Sequence, residues 1–298
     1  MPELPDITLY IEALQRRALG RRLERSSVKS PFLLRSVEPE VAAVHDATVT
    51  ALERLGKRIA IGFANDLWLV IHLMIAGRLQ WLDAWPERVS KQTALMLGFE
   101  NGTLLLTEAG TRKRASLYVV RGRAGLKEHD PGGLELSQIT AAEFQAALQR
   151  RNHTLKRALT DPRLLSGIGN AYSDEILHRA RLSPIALTSK LTAAEFECLF
   201  AAAQAVLQEW LERLRVQSNG AFPRKVTAFH EEMAVHGRYG QPCPVCRTKV
   251  QRIRYADNET NYCPRCQTGG RLLADRSLSR LLKRDWPKSI DELERLQK

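Results

Sequence analysis

The stretch Met1-Pro2-Glu3-Leu4-Pro5-Asp6 opens the chain and predicts a helix that begins near its second proline. Proline is favoured in the first turn of a helix because its missing N–H would be unpaired there. Acidic residues in the same turn lie close to the positive end of the helix dipole. Apolar residues then recur at helical spacing up to Ala18, and Gly20 supplies a stop. This helix is expected to hold the N-terminus in a fixed place.

The same stretch also carries reactive groups. Removal of Met1 would leave Pro2 with a secondary amine at the terminus. An α-amino group has a pKa near 8, about two units below that of lysine, so more of it is free base at neutral pH. Such an amine can attack an electrophilic carbon and form an iminium, and Glu3 is close enough to transfer the protons. On these six residues alone, a plain helix cap beside an ordinary terminus is the favoured interpretation.

Charge and composition point to the partner. The 298 residues carry 45 Lys+Arg against 33 Asp+Glu, a net charge of +12, which is typical of a nucleic-acid partner, although a basic face can be incidental. No signal peptide is recognised, and the longest apolar run, Leu67 to Gly77, is too short to span a membrane. We therefore expect a cytoplasmic protein without a membrane partner.

The segment from Val28 to about Val120 is predicted to be an antiparallel β-sandwich or barrel. Its short apolar runs alternate with Gly or Asn-Gly breaks, and Asn101-Gly102 is a good hairpin turn. Lys57 follows Gly56 at the start of one strand, and as a lone lysine it favours a solvated role. The predicted strands are Ala47–Ala51, Arg58–Phe63, Leu67–Ile75, Arg78–Leu82, Thr93–Phe99, Thr103–Thr107 and Ser116–Val120.

Beyond a linker at Asp130-Pro-Gly-Gly133 the chain is predicted to be helical. Thr140 with Glu143, and Thr192 with Glu195, are capping boxes that open apolar-periodic helices. Gly167 and Gly169 permit a tight turn between two helices, and Asn170 is predicted to cap the second. The N–H groups at that helix start would suit a phosphate, although a plain helix–helix turn is the commoner explanation.

Four of the five cysteines form the pattern Cys243-x2-Cys246-x16-Cys263-x2-Cys266. This spacing predicts a structural zinc closed by four thiolates, with no open position for catalysis. Arg252 and Arg254 lie between the pairs and could face DNA.

Three features outside these motifs receive plainer expectations. Cys198, on an apolar helix, is expected in the core. Asn219-Gly220 and Pro223 mark a loop flanked by Arg224 and Lys225. In the tail, Ser289 to Glu292 is a third capping box, predicted to open a docked helix whose apolar face carries Ile290, Leu293 and Leu296.

Taken in order, these motifs resemble one family, the formamidopyrimidine-DNA glycosylase/endonuclease VIII enzymes of base-excision repair. The resemblance covers nearly the whole chain up to about Leu273. The residues that carry it are Met1-Pro-Glu-Leu-Pro5, Gly56-Lys57, His72-Leu73 with Gly77, Lys156 through Asp161, Gly167-Ile-Gly-Asn-Ala-Tyr-Ser-Asp-Glu175, His236-Gly-Arg238 and Cys243 to Gln267.

The resemblance implies an α+β chain in four parts: an N-terminal β-sandwich with a leading helix at 1–133, a helix-two-turn-helix domain at 134–225, a zinc-finger region at 226–273 and a tail helix at 274–298. It implies a monomer that binds double-stranded DNA containing damaged bases or abasic sites. Its implied cofactor is one structural Zn²⁺.

The resemblance also implies a role for individual residues. Pro2 would attack C1′ of the damaged nucleoside, Glu3 would be the acid and base, and Lys57 would contact the lesion's phosphate and assist strand cleavage. The residues implied to bind DNA are Lys57, His72, Arg112, Lys156, Asn170 and Arg254.

The chain departs from the family pattern at four places. Asp6 stands for the usual Glu, and Ile75 stands where the oxoguanine enzymes fill the vacated stack with Met. Their Arg-Phe pair is replaced by the stretch Glu108 to Ala115, and the finger arginine that promotes a second elimination aligns with Asn258. Lesion preference and δ-elimination therefore stay open. The alternative function is a non-catalytic DNA-damage-binding protein, and a ribosome-type binding module is a distant third.

Overall fold

The computed structural model describes residues 1–223, 226–227, 229–255, 258–274 and 287–296. The chain forms two compact units. The first comprises Met1–Gly132 with Glu209–Ala228, and the second comprises Gly133–Gln208 with Phe229–Lys298. Arg224 and Lys225, which the sequence placed beside a loop, lie outside the described residues.

The first unit is an antiparallel β-sandwich with a leading helix, which confirms the predicted fold class. One four-stranded sheet has the order β1-β6-β7-β5 and the other the order β2-β3-β4-β8. The predicted turn at Asn101-Gly102 joins β6 to β7. The elements are α1 (Leu4–Ala18), β1 (Leu23–Val28), β2 (Val49–Leu55), β3 (Arg58–Phe63), β4 (Leu67–His72), β5 (Gly77–Leu82), β6 (Thr93–Phe99), β7 (Gly102–Glu108), β8 (Ser116–Arg121) and the short α2 (Gly122–Lys127).

Three strand predictions were wrong in detail. The strand β1 was missed because four of its six residues are Glu, Arg or Ser, which an edge strand paired only with β6 tolerates. The strand predicted at Ala47–Ala51 is β2, shifted toward the hairpin that pairs it with β3. The strand predicted to reach Ile75 ends at His72, because the Gly77 N–H donates to the Leu73 carbonyl at 2.9 Å and closes a turn.

The helix α1 anchors the core of this unit. The predicted apolar stripe of Ile7, Ile11, Leu14 and Ala18 is buried, and Tyr10, which the sequence did not single out, is fully buried beside it. Burying each such side chain contributes about 1.5–3 kcal/mol. The Tyr10 hydroxyl also accepts the Leu79 N–H at 3.2 Å, which ties the helix to the start of β5. The Phe222 ring lies 5.8 Å from the Tyr10 ring, so the segment after residue 218 completes this core.

The second unit is helical and ends in a cysteine-rich hairpin. The two predicted capping boxes are present: Glu143 N–H donates to the Thr140 hydroxyl at 3.3 Å, and Glu195 N–H donates to the Thr192 hydroxyl at 3.3 Å. The elements are α3 (Ala141–Gln149), α4 (Leu155–Thr160), α5 (Asn170–Arg179), α6 (Ala193–Ser218), β9 (Gln251–Tyr255), β10 (Asn258–Tyr262), α7 (Pro264–Thr268) and α8 (Ile290–Leu296). The residues of α6 up to Gln208 belong to this unit and those from Glu209 to the first.

Two residue-level predictions in this unit were wrong. Asn170 does not cap α5: Gly169 is the N-cap, and Asn170 is the first helical residue, whose side chain turns to the finger hairpin. Cys198 is exposed rather than in the core, because it lies on the outer face of α6 beside the buried Leu199.

The tail helix α8 packs on the finger through backbone bonds. Ile290 N–H donates to the Gly270 carbonyl at 2.9 Å, which joins the helix to the finger. Glu292 N–H donates to the Ser289 hydroxyl at 3.2 Å, which caps the helix. The side chain of Leu296 lies outside the described residues. Among the helices that the structure describes, none is long and apolar enough to cross a membrane.

Candidate active site and nucleic-acid interface

The first turn of α1 holds the predicted catalytic residues in a buried place. Glu3 is 2% exposed and Asp6 is fully buried. The two form a capping box, in which Glu3 N–H donates to Asp6 Oδ2 at 2.8 Å. The box occupies the N-terminal donors that a helix cannot pair internally. The start of the helix, and with it the chain terminus, is therefore fixed.

Burial changes the pKa of two groups at this cap, the Met1 amine and the Asp6 carboxyl. Burial lowers the pKa of the Met1 amine, the nearby Arg78 and Lys57 lower it further, and Glu3 and Asp6 oppose them. Burial raises the pKa of Asp6 to about 7, although the bond from Glu3 N–H opposes that shift. A terminal amine in this environment is more often unprotonated at neutral pH than an exposed one.

Two further candidate residues, Lys57 and His72, lie at the same end of β3 and β4 in the second sheet. Lys57 is half-buried in the turn between β2 and β3, and Arg58 beside it pairs with His72 across β3 and β4. Burial lowers the pKa of His72 to about 4, with smaller contributions from Arg58 and Lys57. His72 is therefore neutral at pH 7 and can still donate one N–H. Lys57 contributes to the lowered pKa of both His72 and the terminal amine, so its charge lies near enough to act on both groups.

Arg78 is a member of this site that the sequence did not single out. Its Nη1 donates to the carbonyls of Ile75 at 3.1 Å and Gly77 at 2.7 Å, so it braces the turn that carries Ile75. Ile75 itself is 57% exposed at the tip of that turn. No local sequence signal marks Arg78, because its place depends on the tertiary contact between Tyr10 and Leu79.

Arg112 lies on a separate loop after β7. The buried Glu108 ties down the end of that loop, since its Oε1 accepts the N–H groups of Arg114 at 2.7 Å and Ala115 at 2.9 Å. Arg112 and Arg114 remain exposed to solvent. The loop therefore presents two guanidinium groups from a fixed base.

The remaining nucleic-acid candidates lie in the second unit. Lys156 donates to the Asn170 carbonyl at 2.6 Å and to Asp174 Oδ1 at 2.5 Å. The Asn170 side chain donates to the Glu259 carbonyl of β10 at 2.7 Å, and Arg254 is exposed on β9. Arg252, expected to face DNA, is engaged by Glu259 at 3.1 Å.

The four predicted metal ligands come together in this unit. The Sγ atoms of Cys243, Cys246, Cys263 and Cys266 all lie within 4.8 Å of one another. A tetrahedral ion with metal–sulfur bonds of about 2.3 Å needs sulfurs roughly 3.8 Å apart, so these residues fit one.

Two side chains outside the four thiols support the metal site. His178 Nε2 lies 3.3 Å from Cys243 Sγ. Gln267 accepts the Cys263 N–H at 2.8 Å and donates to the Leu182 carbonyl at 2.9 Å, which links the knuckle to the helical part of the unit. Such outer contacts fix the orientation of metal ligands.

Family models match three consecutive parts of the chain. Residues 1–116 match the formamidopyrimidine-DNA glycosylase N-terminal domain, residues 131–219 match its H2TH domain, and residues 240–269 match the zinc finger found in FPG and IleRS. Together they include every candidate residue described above.

Curated relatives match over most of the chain. A formamidopyrimidine-DNA glycosylase of Pelotomaculum thermopropionicum is 31% identical over 281 residues, which cover 90% of this chain and 99% of the relative. An uncharacterised formamidopyrimidine-DNA glycosylase-like protein of Mycobacterium tuberculosis is 39% identical over 160 residues, which cover 54% of this chain and 99% of that protein.

Solved structures share the fold. MutM (Fpg) of Thermus thermophilus superposes with a TM-score of 0.74 at 30% identity, covering 89% of this chain and 98% of that one. MutM in complex with DNA containing carbocyclic 8-oxo-G superposes with a TM-score of 0.79 at 23% identity, covering 90% and 100%.

The raised pKa of Asp6 predicts a measurable linkage to stability. Its folded-state value of about 7 lies above the ordinary 3.8, so this group's contribution is full below pH 3.8 and is lost as pH rises through 7. The free energy of unfolding of the wild type, relative to Asp6→Asn, should fall by up to about 1.4 kcal/mol per pH unit in that window. Urea denaturation from pH 5 to 7 measures it.

Asp161→Asn is the control for that measurement. Its bonds with Arg163 lower the pKa of Asp161 to about 2, so it is ionised in both states across the window and its difference from wild type should be flat. A flat difference for Asp6→Asn as well would show that Asp6 is ionised in the folded protein.

Proposed function

The chain belongs to the formamidopyrimidine-DNA glycosylase family, and from that premise we propose that it is a bifunctional DNA glycosylase and AP lyase of base-excision repair. It removes oxidised or ring-opened bases from double-stranded DNA and then cleaves the strand by β-elimination. The observation that carries the proposal is the chain terminus beside the buried Glu3 and Asp6, where burial lowers the pKa of the Met1 amine; we infer the same environment for the Pro2 amine once Met1 is removed.

The proposed chemistry begins once Met1 is removed. The Pro2 nitrogen lone pair bonds to C1′ of the damaged nucleoside, and the glycosidic bond breaks with its electrons going to the base, which leaves protonated. Opening of the sugar ring then gives a cationic iminium between Pro2 and C1′. Loss of a C2′ proton expels the 3′ phosphate, and water releases the product from Pro2.

Each neighbour of the terminus has a role in these steps. Glu3 supplies and removes protons, since the capping box holds it one residue from the nucleophile. Lys57 binds the phosphate of the damaged nucleotide from the turn before β3, and the neutral His72 donates a hydrogen bond to the same backbone. Lys57 acts on the phosphate as a preorganised cation and His72 as a preorganised neutral donor, and neither has to reorganise as water would.

The other assigned residues bind the flanking DNA. Arg112, Lys156, Asn170 and Arg254 contact the phosphodiester backbone, which positions the duplex without reading its sequence. The target nucleotide is flipped out of the stack, because C1′ is otherwise shielded. One structural Zn²⁺ on the four thiolates holds the finger folded when bound. We infer that the enzyme acts as a monomer in the cytoplasm.

Borohydride trapping tests the nucleophile. A duplex with an abasic site should give a covalent adduct after reduction, and peptide mapping should place it on residue 2. Protein that retains Met1 or carries an N-terminal tag should trap at a small fraction of the wild-type rate. Glu3→Gln should lose base excision and keep lyase action on preformed abasic sites, since no base then has to leave.

Two results would contradict this assignment. Full trapping by a terminally blocked protein would move the nucleophile elsewhere. Tight binding of damaged DNA with no adduct from any preparation would instead favour the non-catalytic damage-binding protein.

Ile75 predicts the lesion preference. An extruded base leaves a gap in the stack, and unstacking costs a few kcal/mol, least for bases already poorly stacked. Ile75 is shorter and stiffer than the Met of the oxoguanine enzymes, so 8-oxoguanine opposite cytosine should be a weak substrate. Ring-opened purines, oxidised pyrimidines and abasic sites should react faster in single-turnover assays, with shallow discrimination by the opposite base.

Ile75→Met is the matched variant for that prediction. It should raise the rate on 8-oxoguanine opposite cytosine more than the rate on abasic sites, which need less support from a wedge. Rates on 8-oxoguanine opposite cytosine that already equal those on ring-opened purine in the wild type would refute the role given to Ile75.

A further inference from the structure

A fully buried carboxylate joins the helical turn to the finger hairpin. Asp174 lies in the second turn of α5, and its side chain is 0% exposed. Its Oδ1 accepts from Lys156 Nζ at 2.5 Å. Its Oδ2 accepts from His236 Nδ1 at 2.8 Å and from the Asn261 N–H of β10 at 3.2 Å. One side chain thus receives a donor from α4, from the segment before the finger and from the finger itself.

Lys156 is held in a definite orientation by this arrangement. Its ammonium has three N–H donors, and two of them are used by Asp174 and by the Asn170 carbonyl at 2.6 Å. Its side chain is 13% exposed, so one donor is left near the surface at the start of α5. A lysine anchored at two points offers its remaining N–H in a fixed direction, which a freely rotating surface lysine does not.

The finger hairpin is joined to the same turn by a second route. The Asn170 side chain donates to the Glu259 carbonyl at 2.7 Å, and Asn261 Oδ1 accepts the Gly237 N–H at 2.8 Å. With the Asp174 bond to Asn261, this fixes β10 relative to the first turns of α5. The hairpin that carries Arg254 and the start of α5, to which Lys156 of α4 is bonded, therefore have one relative placement within this unit.

Glu175, the next residue, shows what a purely structural carboxylate looks like here. It is 6% exposed and accepts the backbone N–H groups of Ala234 at 2.7 Å, Val235 at 2.9 Å and His236 at 3.0 Å. Burial raises the pKa of Glu175. These partners are main-chain groups of one segment, and none is a candidate DNA ligand.

A buried ion pair is an expensive way to hold a fold together. Desolvation of the two charges often cancels their attraction, and apolar replacements of such pairs are often neutral or stabilising. In some proteins such a pair is kept because it fixes one geometry. The Asp174–Lys156 pair holds an ammonium near the first residue of α5. The N-terminus of that helix also favours a phosphate.

We propose that Asp174 is a positioning residue for DNA binding: it aims the third N–H of Lys156 at a backbone phosphate and locks the finger hairpin beside it. The proposal rests on the proposed function in one respect, the assignment of Lys156 as a phosphate ligand. It gives the helical turn and the finger a shared anchor, so that both meet the duplex backbone in one geometry.

Salt-dependent binding of the full-length, metal-loaded protein tests the proposal. The probe is a duplex with a tetrahydrofuran abasic-site analogue, which cannot be cleaved, so binding is read independently of catalysis. Each neutralised phosphate contributes about 0.9 to the slope of log affinity against log salt. Asp174→Asn and Lys156→Ala should each lower the slope by about that amount.

The double variant and a neighbouring control complete the binding experiment. Asp174→Asn combined with Lys156→Ala should lower the slope no further than Lys156→Ala alone, because both changes remove the same phosphate contact. Glu175→Gln should lower the urea midpoint and leave the slope unchanged. Metal content should stay at one ion per chain in all variants, since none of these residues is a thiolate ligand.

Steady-state kinetics separate positioning from loss of structure. Asp174→Asn should raise KM for abasic-site duplex about tenfold and change kcat less than twofold, because it acts on binding and not on the reacting atoms. Asp174→Glu keeps a buried carboxylate and should fold like the wild type, yet it displaces the ammonium and should show the same raised KM. This variant decides the question if Asp174→Asn does not fold.

The contradicting outcomes are distinct. A wild-type slope in both Asp174 variants, with a lowered slope in Lys156→Ala, would make Asp174 purely structural and overturn the proposal. A wild-type slope in Lys156→Ala would remove Lys156 from the interface and overturn both the proposal and that part of the assigned function. Normal binding behaviour without base excision or trapping would refute the glycosylase assignment alone.

Discussion

The reciprocal bonds between Glu3 and Asp6 are the constraint on which the proposed active site depends. They hold the start of α1 in place, and α1 is itself anchored by Ile7, Tyr10 and Leu14 in the core. A terminus at a flexible chain end would be solvated and mostly protonated. Here burial lowers the pKa of the Met1 amine and raises that of Asp6 to about 7. In the proposed mechanism this environment increases the unprotonated share of the terminal amine.

The two units use buried carboxylates in the same way. In the first unit, Asp6 orders the chain terminus by accepting a backbone N–H. In the second, Glu175 orders residues 234–236 through three backbone N–H groups, while Asp174 takes the side chains of Lys156 and His236. Each of these groups is costly to bury alone and is kept by its donors. Buried carboxylates thereby fix the proposed nucleophile in the first unit and the proposed phosphate ligand Lys156 in the second.

Much of this arrangement could be predicted from the sequence. The apolar period of α1, the Gly and Asn-Gly breaks and the cysteine spacing are local signals, and they predicted the sandwich, the hairpin turn and the four-thiol cluster. The edge strand β1 was not predicted, because its polar residues obscure the alternation of apolar and polar residues that is typical of a strand. The exposure of Cys198 was not predicted, because a helix with apolar residues on several sides does not reveal which side is buried.

The placement of the site residues was harder to predict, because it depends on tertiary contacts. The place of Arg78 follows from the meeting of Tyr10 and Leu79, which lie 69 residues apart. The orientation of Asn170 follows from Glu259, which is 89 residues away. The sequence shows Asp174 only as part of the motif from Gly167 to Glu175. Its neighbours in sequence do not indicate that donors from three other segments converge on it.

The pKa of the N-terminal amine is the most direct test of the account. A protein lacking Met1, with Pro2 labelled with ¹⁵N, can be titrated by NMR without DNA. We predict that the pKa of the Pro2 amine lies below the ordinary value of about 8 for an α-amino group in the folded protein. It should rise toward that value in urea-unfolded protein. A folded-state pKa at or above the unfolded one would show that burial does not activate the terminus, and would contradict the central claim.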